Sequence, residues 1–127
     1  MSIRTPLAHA RGLGSAKSGT GHWWAQRLTA IALIPLVIWF TVSVIIMTGS
    51  GHETVVDWIG NPLTAVLMIL LIVAMFHHMQ LGLQVVIEDY VHTRWTQISL
   101  LLVVKGGALL LGAIGVLSVL KIAIGGA

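Results

Sequence analysis

Three long apolar runs constrain what this chain can fold into. Residues 28–48 and 59–87 contain no Asp, Glu, Lys or Arg, and residues 97–120 contain a single charged side chain, Lys105. Each run reaches the roughly 20 residues that a helix needs to cross the hydrocarbon core of a bilayer. The sequence therefore predicts an all-α membrane protein with three transmembrane helices, which we place at residues 28–48, 60–87 and 97–120.

The remaining residues are too few for a soluble catalytic domain. Only 9% of the 127 residues are charged, against roughly 25% in an ordinary soluble domain. The chain has no cysteine, which excludes disulfides, thiol catalysis and thiolate ligation of an iron–sulfur cluster by this chain. Three helices are also too few for a large sealed pore without further subunits.

Small residues dominate one part of the third run. Such residues let helices approach closely in lipid, and Ala108 and Gly112 have the small-xxx-small spacing that does so. We expect this face to pack against another helix, since a helix surrounded by lipid is usually Leu, Ile and Val throughout. The set comprises Gly106, Gly107, Ala108, Gly112, Ala113 and Gly115.

The charged residues orient the three spans. The loop after the first span carries Glu53 and Asp57 and no Lys or Arg, whereas the residues before that span are basic. By the positive-inside rule the N-terminus is cytoplasmic, the loop over residues 48–59 faces outward and the loop over residues 88–95 faces the cytoplasm. The basic residues are Arg4, Arg11, Lys17 and Arg27.

We therefore divide the chain into a cytoplasmic N-terminal arm, residues 1–21, and a membrane anchor, residues 22–127. The arm is basic, which fits an anionic lipid or acidic protein surface as its partner and does not indicate nucleic acid. Its lack of acidic residues is also typical of an organellar transit peptide. Because the sequence keeps this arm from Met1 onward, we expect it to dock on a partner, and we favour a bacterial inner membrane over a mitochondrial one.

Two adjacent histidines, His77 and His78, lie inside the second apolar run. An ionisable group in hydrocarbon is costly, so it is a functional hypothesis by default. At about 100° per residue the two imidazoles point to different faces, and His78 shares its face with Gly82 one turn away. Imidazole is a usual axial ligand of b-type haem, and a glycine there leaves room for the edge of a porphyrin. A single helix cannot reach both faces of one iron, so a second ligand must come from another chain. The stripe that holds His78 is Leu71, Met75, His78, Gly82, Val85 and Asp89.

Each of these residues also has a structural interpretation. Polar groups in helical bundles often hydrogen-bond between helices, and His77 and His78 could both do so. Asp89 and Tyr90 lie where a helix end commonly carries a charge and an aromatic anchor. Lys105 could extend its ammonium to the interface or compensate a buried anion.

Two patches of the sequence resemble a known family. His78 is followed by Gly82 four residues later and by Asp89 and Tyr90 eleven and twelve residues later, and residues 22–30 contain Arg-x-Thr-Ala at the start of the first span. This combination resembles the hydrophobic membrane anchor subunits of succinate dehydrogenase, respiratory complex II, and specifically the fourth, D-type anchor. Gln84 lies one residue earlier than in the usual family spacing, and we assign it no role.

The resemblance implies that the three helices form half of a heterodimeric, haem-binding helical bundle. It implies that His78 is one axial ligand of haem b, the sister cytochrome b anchor supplying the other. Tyr90 matches a tyrosine that hydrogen-bonds a ubiquinone carbonyl, and Asp89 would orient it or deliver protons. Arg27 matches an arginine near the haem propionates, assisted by His22.

The resemblance also implies partners. An iron–sulfur subunit and a flavoprotein subunit would bind this anchor, and succinate would be oxidised on the flavin, so the chain would not be a catalyst alone. The alternative is a cofactor-free structural or assembly subunit of a membrane complex, in which the histidines only pack.

Overall fold

The computed structural model describes residues 6–7 and 17–125. Between residues 17 and 125 the chain forms four helices, which are α1 (Lys17–Ile46), α2 (His52–Gly60), α3 (Pro62–Tyr90) and α4 (Arg94–Gly125). The described residues contain no strand, so the predicted all-α fold is confirmed. Most of the predicted N-terminal arm, including Arg4 and Arg11, lies outside the described residues.

Three of the helices are long and apolar enough to span a membrane. They cover Thr20–Ile46, Pro62–Tyr90 and Arg94–Gly125, which confirms the three predicted spans. The start of α1, the end of α3 and both ends of α4 run past the predicted limits, because regular backbone continues into the interfacial region, where charged and aromatic side chains are tolerated. At the loop that contains α2 the helices are shorter than predicted, since α1 ends at Ile46 and α3 begins at Pro62. Pro35 lies inside α1, and the helix continues through it.

The predicted outer loop contains a short helix that the sequence did not reveal. Gly49 turns the chain after α1 with a φ of +87°, and α2 follows. Trp58 of α2 stacks on Trp39 of α1, with ring centroids 5.6 Å apart and planes inclined by 28°. Asn61 then caps α3, its side-chain oxygen accepting a hydrogen bond from the Leu63 N–H at 3.0 Å, and Pro62 occupies the first turn, where its missing N–H costs nothing.

Helix α3 is the centre of the bundle. It packs against α1 on one side and α4 on another, whereas α1 and α4 do not pack against each other within the described residues. Helix α2 rests on α3 and α4. The close approach of α3 and α4 uses the glycines of α4, since a Cβ on Gly112 would lie 3.7 Å from the Phe76 ring and one on Gly115 would lie 3.3 Å from Ile72 Cγ2. This confirms the predicted packing face for Ala108, Gly112 and Gly115, while Gly106 and Gly107 lie in open space.

This bundle has a small buried core. Eight described residues are buried, and most large apolar side chains are exposed along the three long helices. In lipid such exposure carries no hydrophobic penalty, so tight helix contacts and polar bonds stabilise the fold. The buried residues are Leu36, Thr64, Ala65, Leu71, Leu81, Ile87, Ala108 and Val119.

Candidate functional site

His78 lies half-buried between α3 and α1. Its Nδ1 is 3.0 Å from the hydroxyl oxygen of Thr29. The Thr29 hydroxyl is also 2.7 Å from the carbonyl oxygen of Ala25, one turn back on α1, and 3.1 Å from that of Gln26. Among the described residues, none forms a hydrogen bond with His78 Nε2. The ring therefore presents one nitrogen to its own chain and leaves the other available.

A row of polar side chains on α1 leads toward His78. His22, Gln26 and Thr29 follow one another at spacings of four and three residues, which places them on one face of the helix. The side-chain oxygen of Gln26 and Nε2 of His22 are buried and lack a hydrogen-bond partner among the described residues. Because buried polar atoms normally have partners, these two atoms indicate a polar group that the described residues do not supply.

Gly82 faces the same row. A Cβ on Gly82 would lie 3.7 Å from the side-chain nitrogen of Gln26, which is an ordinary van der Waals distance, so the Gln26 side chain of α1 lies against this glycine. Met75 and Val85, which share the stripe of His78, are 43% and 42% exposed. Two members of the predicted stripe therefore reach the outer surface of the bundle, whereas Leu71 is buried.

His77 belongs to a different surface. Together with Gln80 of α3 and Lys105 of α4 it lines a groove of about 490 Å³ between α3 and α4. Gln80 donates to Gln84 at 3.4 Å, and Gln84 donates to the Glu88 carboxylate at 3.0 Å. This ladder runs along α3 to its C-terminal end, away from the contact with Thr29. The structure thus separates the two adjacent histidines.

Asp89 and Tyr90 end α3 in exposed positions. Tyr90 is 79% exposed, and within the described part of the chain neither side chain forms a hydrogen bond. The turn that follows is fixed by the Val91 N–H, which donates to the Ile87 carbonyl at 2.9 Å, and by the Gln97 side chain, which donates to the Val91 carbonyl at 3.2 Å. These two hydrogen bonds fix the backbone of the turn after α3, while the Tyr90 side chain stays exposed. The predicted orientation of Tyr90 by Asp89 stays a prediction.

Arg27 is exposed and lies away from His22. Its guanidinium carbon is 5.4 Å from the centroid of the Trp23 ring, and Trp23 meets Trp24 edge to face at 4.9 Å. On an ideal helix Arg27 is turned about 160° from Thr29. The structure therefore brings His22 and His78 to the same side of α1, and it leaves Arg27 on the outer side, stacked on tryptophan.

Thr29 and Gln26 belong to the candidate site, although the sequence alone did not predict a role for either residue. In the sequence, Thr29 and Gln26 are only members of the patch over residues 22–30, with no role of their own. Their spacing from His22 along one helical face is a signal that the sequence contains, but only the structure shows which face of α1 meets His78. In residues 6–7 and 17–125 no three His, Asp or Glu side chains cluster as a metal centre.

The comparisons with known proteins agree with one another. The chain matches the model of the succinate dehydrogenase/fumarate reductase transmembrane subunit family over residues 1–120. It is 31% identical to the succinate dehydrogenase hydrophobic membrane anchor subunit of Rickettsia bellii, over 81% of this chain and 82% of that protein. The corresponding subunit of Paracoccus denitrificans is 34% identical, over 71% of this chain and 70% of its own. The succinate dehydrogenase membrane anchor subunit of Reclinomonas americana is 32% identical, over 70% and 77%. No solved structure matches the chain significantly.

Proposed function

This chain belongs to the succinate dehydrogenase/fumarate reductase transmembrane subunit family, and we propose that, as a membrane anchor subunit of succinate dehydrogenase, it contributes one axial ligand to haem b and part of the site where ubiquinone is reduced. The anchor role follows from the family and from three apolar helices of spanning length. The two site roles rest on the geometry around His78 and Tyr90.

The arrangement of His78 supports the haem proposal most strongly. The ring uses Nδ1 for Thr29 and keeps Nε2 free of hydrogen bonds to described residues, which is the state that an axial imidazole requires. Gly82 contributes no side chain one turn from His78, although Gln26 of α1 lies against it, and Met75 and Val85 of the same stripe are partly exposed on the bundle surface. These residues fit the edge of a porphyrin whose opposite face would be ligated by the sister cytochrome b anchor.

The polar row on α1, which consists of His22, Gln26 and Thr29, fits the side of a haem that carries the propionates. The buried, unpartnered Nε2 of His22 can donate a hydrogen bond to a propionate, whereas the unpartnered side-chain oxygen of Gln26 is an acceptor and needs a donor instead. Arg27 would supply positive charge, because carboxylates in low dielectric need a cation. This role requires the Arg27 side chain to leave Trp23 or the propionates to lie on the outer side of α1. When bound, haem b supplies a one-electron redox centre between the helices.

The quinone proposal rests on Tyr90. Its hydroxyl is accessible at the end of α3, and a phenol there can donate a hydrogen bond to a quinone carbonyl. Quinone reduction consumes two protons with two electrons, and Asp89 lies next to the tyrosine where a carboxylate can exchange protons with water. Because both side chains are exposed in the isolated chain, other subunits must close the site around them.

The partners of this anchor follow from the same proposal. The sister cytochrome b anchor would cover the haem side, and the iron–sulfur and flavoprotein subunits would bind at the cytoplasmic face, with electrons moving from succinate toward the quinone. The chain alone would not be catalytic. The proposed location is a bacterial inner membrane. We place the N-terminus in the cytoplasm on the basis of the basic residues before the first apolar run, residues 28–48, and the acidic ones in the loop that follows it.

Haem content in two variants of neighbouring residues tests the site. His78→Leu and His77→Leu make the same chemical change on adjacent positions, and only the first removes the proposed ligand. We expect the purified complex to lose haem in His78→Leu and to keep about one haem per copy in His77→Leu. Retention of haem by assembled His78→Leu complexes would overturn the ligand assignment. Absence of haem from the wild-type complex would favour the cofactor-free structural role.

A further inference from the structure

The hydrogen bond between Thr29 and His78 involves Nδ1 of the imidazole, whereas Nε2 is the nitrogen proposed to bind iron. Nδ1 lies 3.0 Å from the Thr29 hydroxyl oxygen, on the contact surface of α1 and α3. A neutral imidazole carries one proton, and whichever nitrogen holds it cannot ligate a metal. The partner of Nδ1 therefore decides whether Nε2 is a ligand or a donor.

The other contacts of Thr29 determine the direction of this bond. A threonine hydroxyl has one proton to donate. The Ala25 carbonyl oxygen is 2.7 Å away and the Gln26 carbonyl oxygen 3.1 Å away, and both are acceptors only, so that proton is used within α1. The hydroxyl oxygen is left to accept, and Nδ1 of His78 must donate to it. The proton then sits on Nδ1 and the lone pair on Nε2.

We propose that Thr29 is a positioning residue for the haem ligand: its hydroxyl holds His78 in the Nδ1-protonated tautomer and fixes the plane of the ring. This inference rests on the proposed function, namely that His78 binds haem b through Nε2. On this proposal Thr29 is a second residue of this chain that affects the iron, and it does so through His78 without touching the iron. The hydrogen bond between Thr29 and His78 joins α1 to α3.

Two physical effects follow from the bond. A donor bond from Nδ1 increases the electron density on Nε2, which strengthens the ligand and favours ferric over ferrous iron. The bond is half-buried between two helices of spanning length, where a hydrogen bond is stronger than in water. In addition, α1 and α3 hold the two ends of the bond, so the ring cannot rotate freely about its side-chain torsions. Removing the hydroxyl should raise the midpoint potential of the haem and change the orientation of the imidazole plane.

The test compares variants of Thr29 in the assembled complex. Thr29→Val replaces the hydroxyl by a methyl group of similar size, and Thr29→Ser restores the hydroxyl. Thr41→Val is the matched control, because Thr41 is exposed on the same helix. The readouts are the midpoint potential from a redox titration of the haem absorbance and the g values of the ferric haem by electron paramagnetic resonance. If Thr29→Val prevents assembly, Thr29→Ala makes the same comparison with a smaller side chain.

We expect a positive shift of the midpoint potential and altered g values in Thr29→Val, with wild-type values in Thr29→Ser and Thr41→Val. Loss of haem from assembled Thr29→Val complexes that Thr29→Ser retains would also support the inference. Wild-type potential and g values in Thr29→Val and Thr29→Ala would overturn it, as would an equal shift in Thr29→Ser. The proposed function has a separate test. If haem is present in the wild-type complex and absent from His78→Leu, the assignment of His78 as the haem ligand stands, whatever the Thr29 variants show. A wild-type complex without haem overturns both this assignment and the inference about Thr29.

Discussion

At the scale of residues, the structure separates side chains that are neighbours in sequence. His77 and His78 are adjacent, yet one lines the groove with Lys105 and the other contacts Thr29 of α1. The sequence predicted this separation from the helical period, because successive residues are turned by about 100°. It could not predict the partner of His78, since the rotation of α1 about its own axis depends on packing between two helices that are both apolar all round.

Replacing Tyr90 by Phe removes one hydroxyl at the exposed end of α3. We expect quinone reduction by the complex to fall while succinate oxidation with an artificial acceptor stays at the wild-type rate, because the hydroxyl would bond only the quinone. Paired assays on the same purified complex measure both rates. Equal loss of the two activities would remove Tyr90 from the quinone site.

Replacing Arg27 by Leu removes a cation on the outer side of α1. We expect weaker haem retention or a raised Michaelis constant for quinone, because the propionates would lose a charge partner. Arg27→Lys keeps the positive charge and serves as the control, although it loses the planar stacking on Trp23. Haem content and quinone kinetics that both match the wild type would show that Arg27 serves only as an aromatic-stacked interfacial residue.

At the scale of elements, α3 carries both the candidate site and the main packing surface. One side of it holds His78 and Gly82 against α1, and another holds Ile72 and Phe76 against the glycines of α4. The three long helices could be predicted because their apolar runs are long and almost free of charge. Helix α2 could not, since its nine residues are too short and too polar for a membrane signal, and the stack of Trp58 on Trp39 joins residues far apart in sequence.

The contact between α3 and α4 depends on Gly115. A Cβ there would already lie 3.3 Å from Ile72 Cγ2, so Gly115→Leu must push the two helices apart. We expect a loss of about 1–3 kcal/mol, the usual effect of overfilling a packed contact, seen as a lower melting temperature of the detergent-solubilised complex. Gly106→Leu is the control, because a Cβ at Gly106 meets nothing within 4 Å in this chain. An equal loss in both variants would contradict the packing account.

At the scale of the whole molecule, this chain has the features of one part of a larger assembly. Its buried core is small, two members of its candidate ligand-binding stripe reach the surface, and two buried polar atoms of α1 have no partner among the described residues. The membrane class and the number of spans could be read from the sequence, and the family comparisons agree with them. The cofactor and the quinone stay proposals, because the described residues supply only part of either site.

The most direct test of the haem proposal is a dithionite-reduced minus oxidised optical spectrum of the complex purified through a tag on this chain. We predict a b-type signal at about one haem per copy, because His78 would share one iron with the sister anchor. An intact, succinate-oxidising complex without this signal would contradict the proposal and leave the anchor role standing.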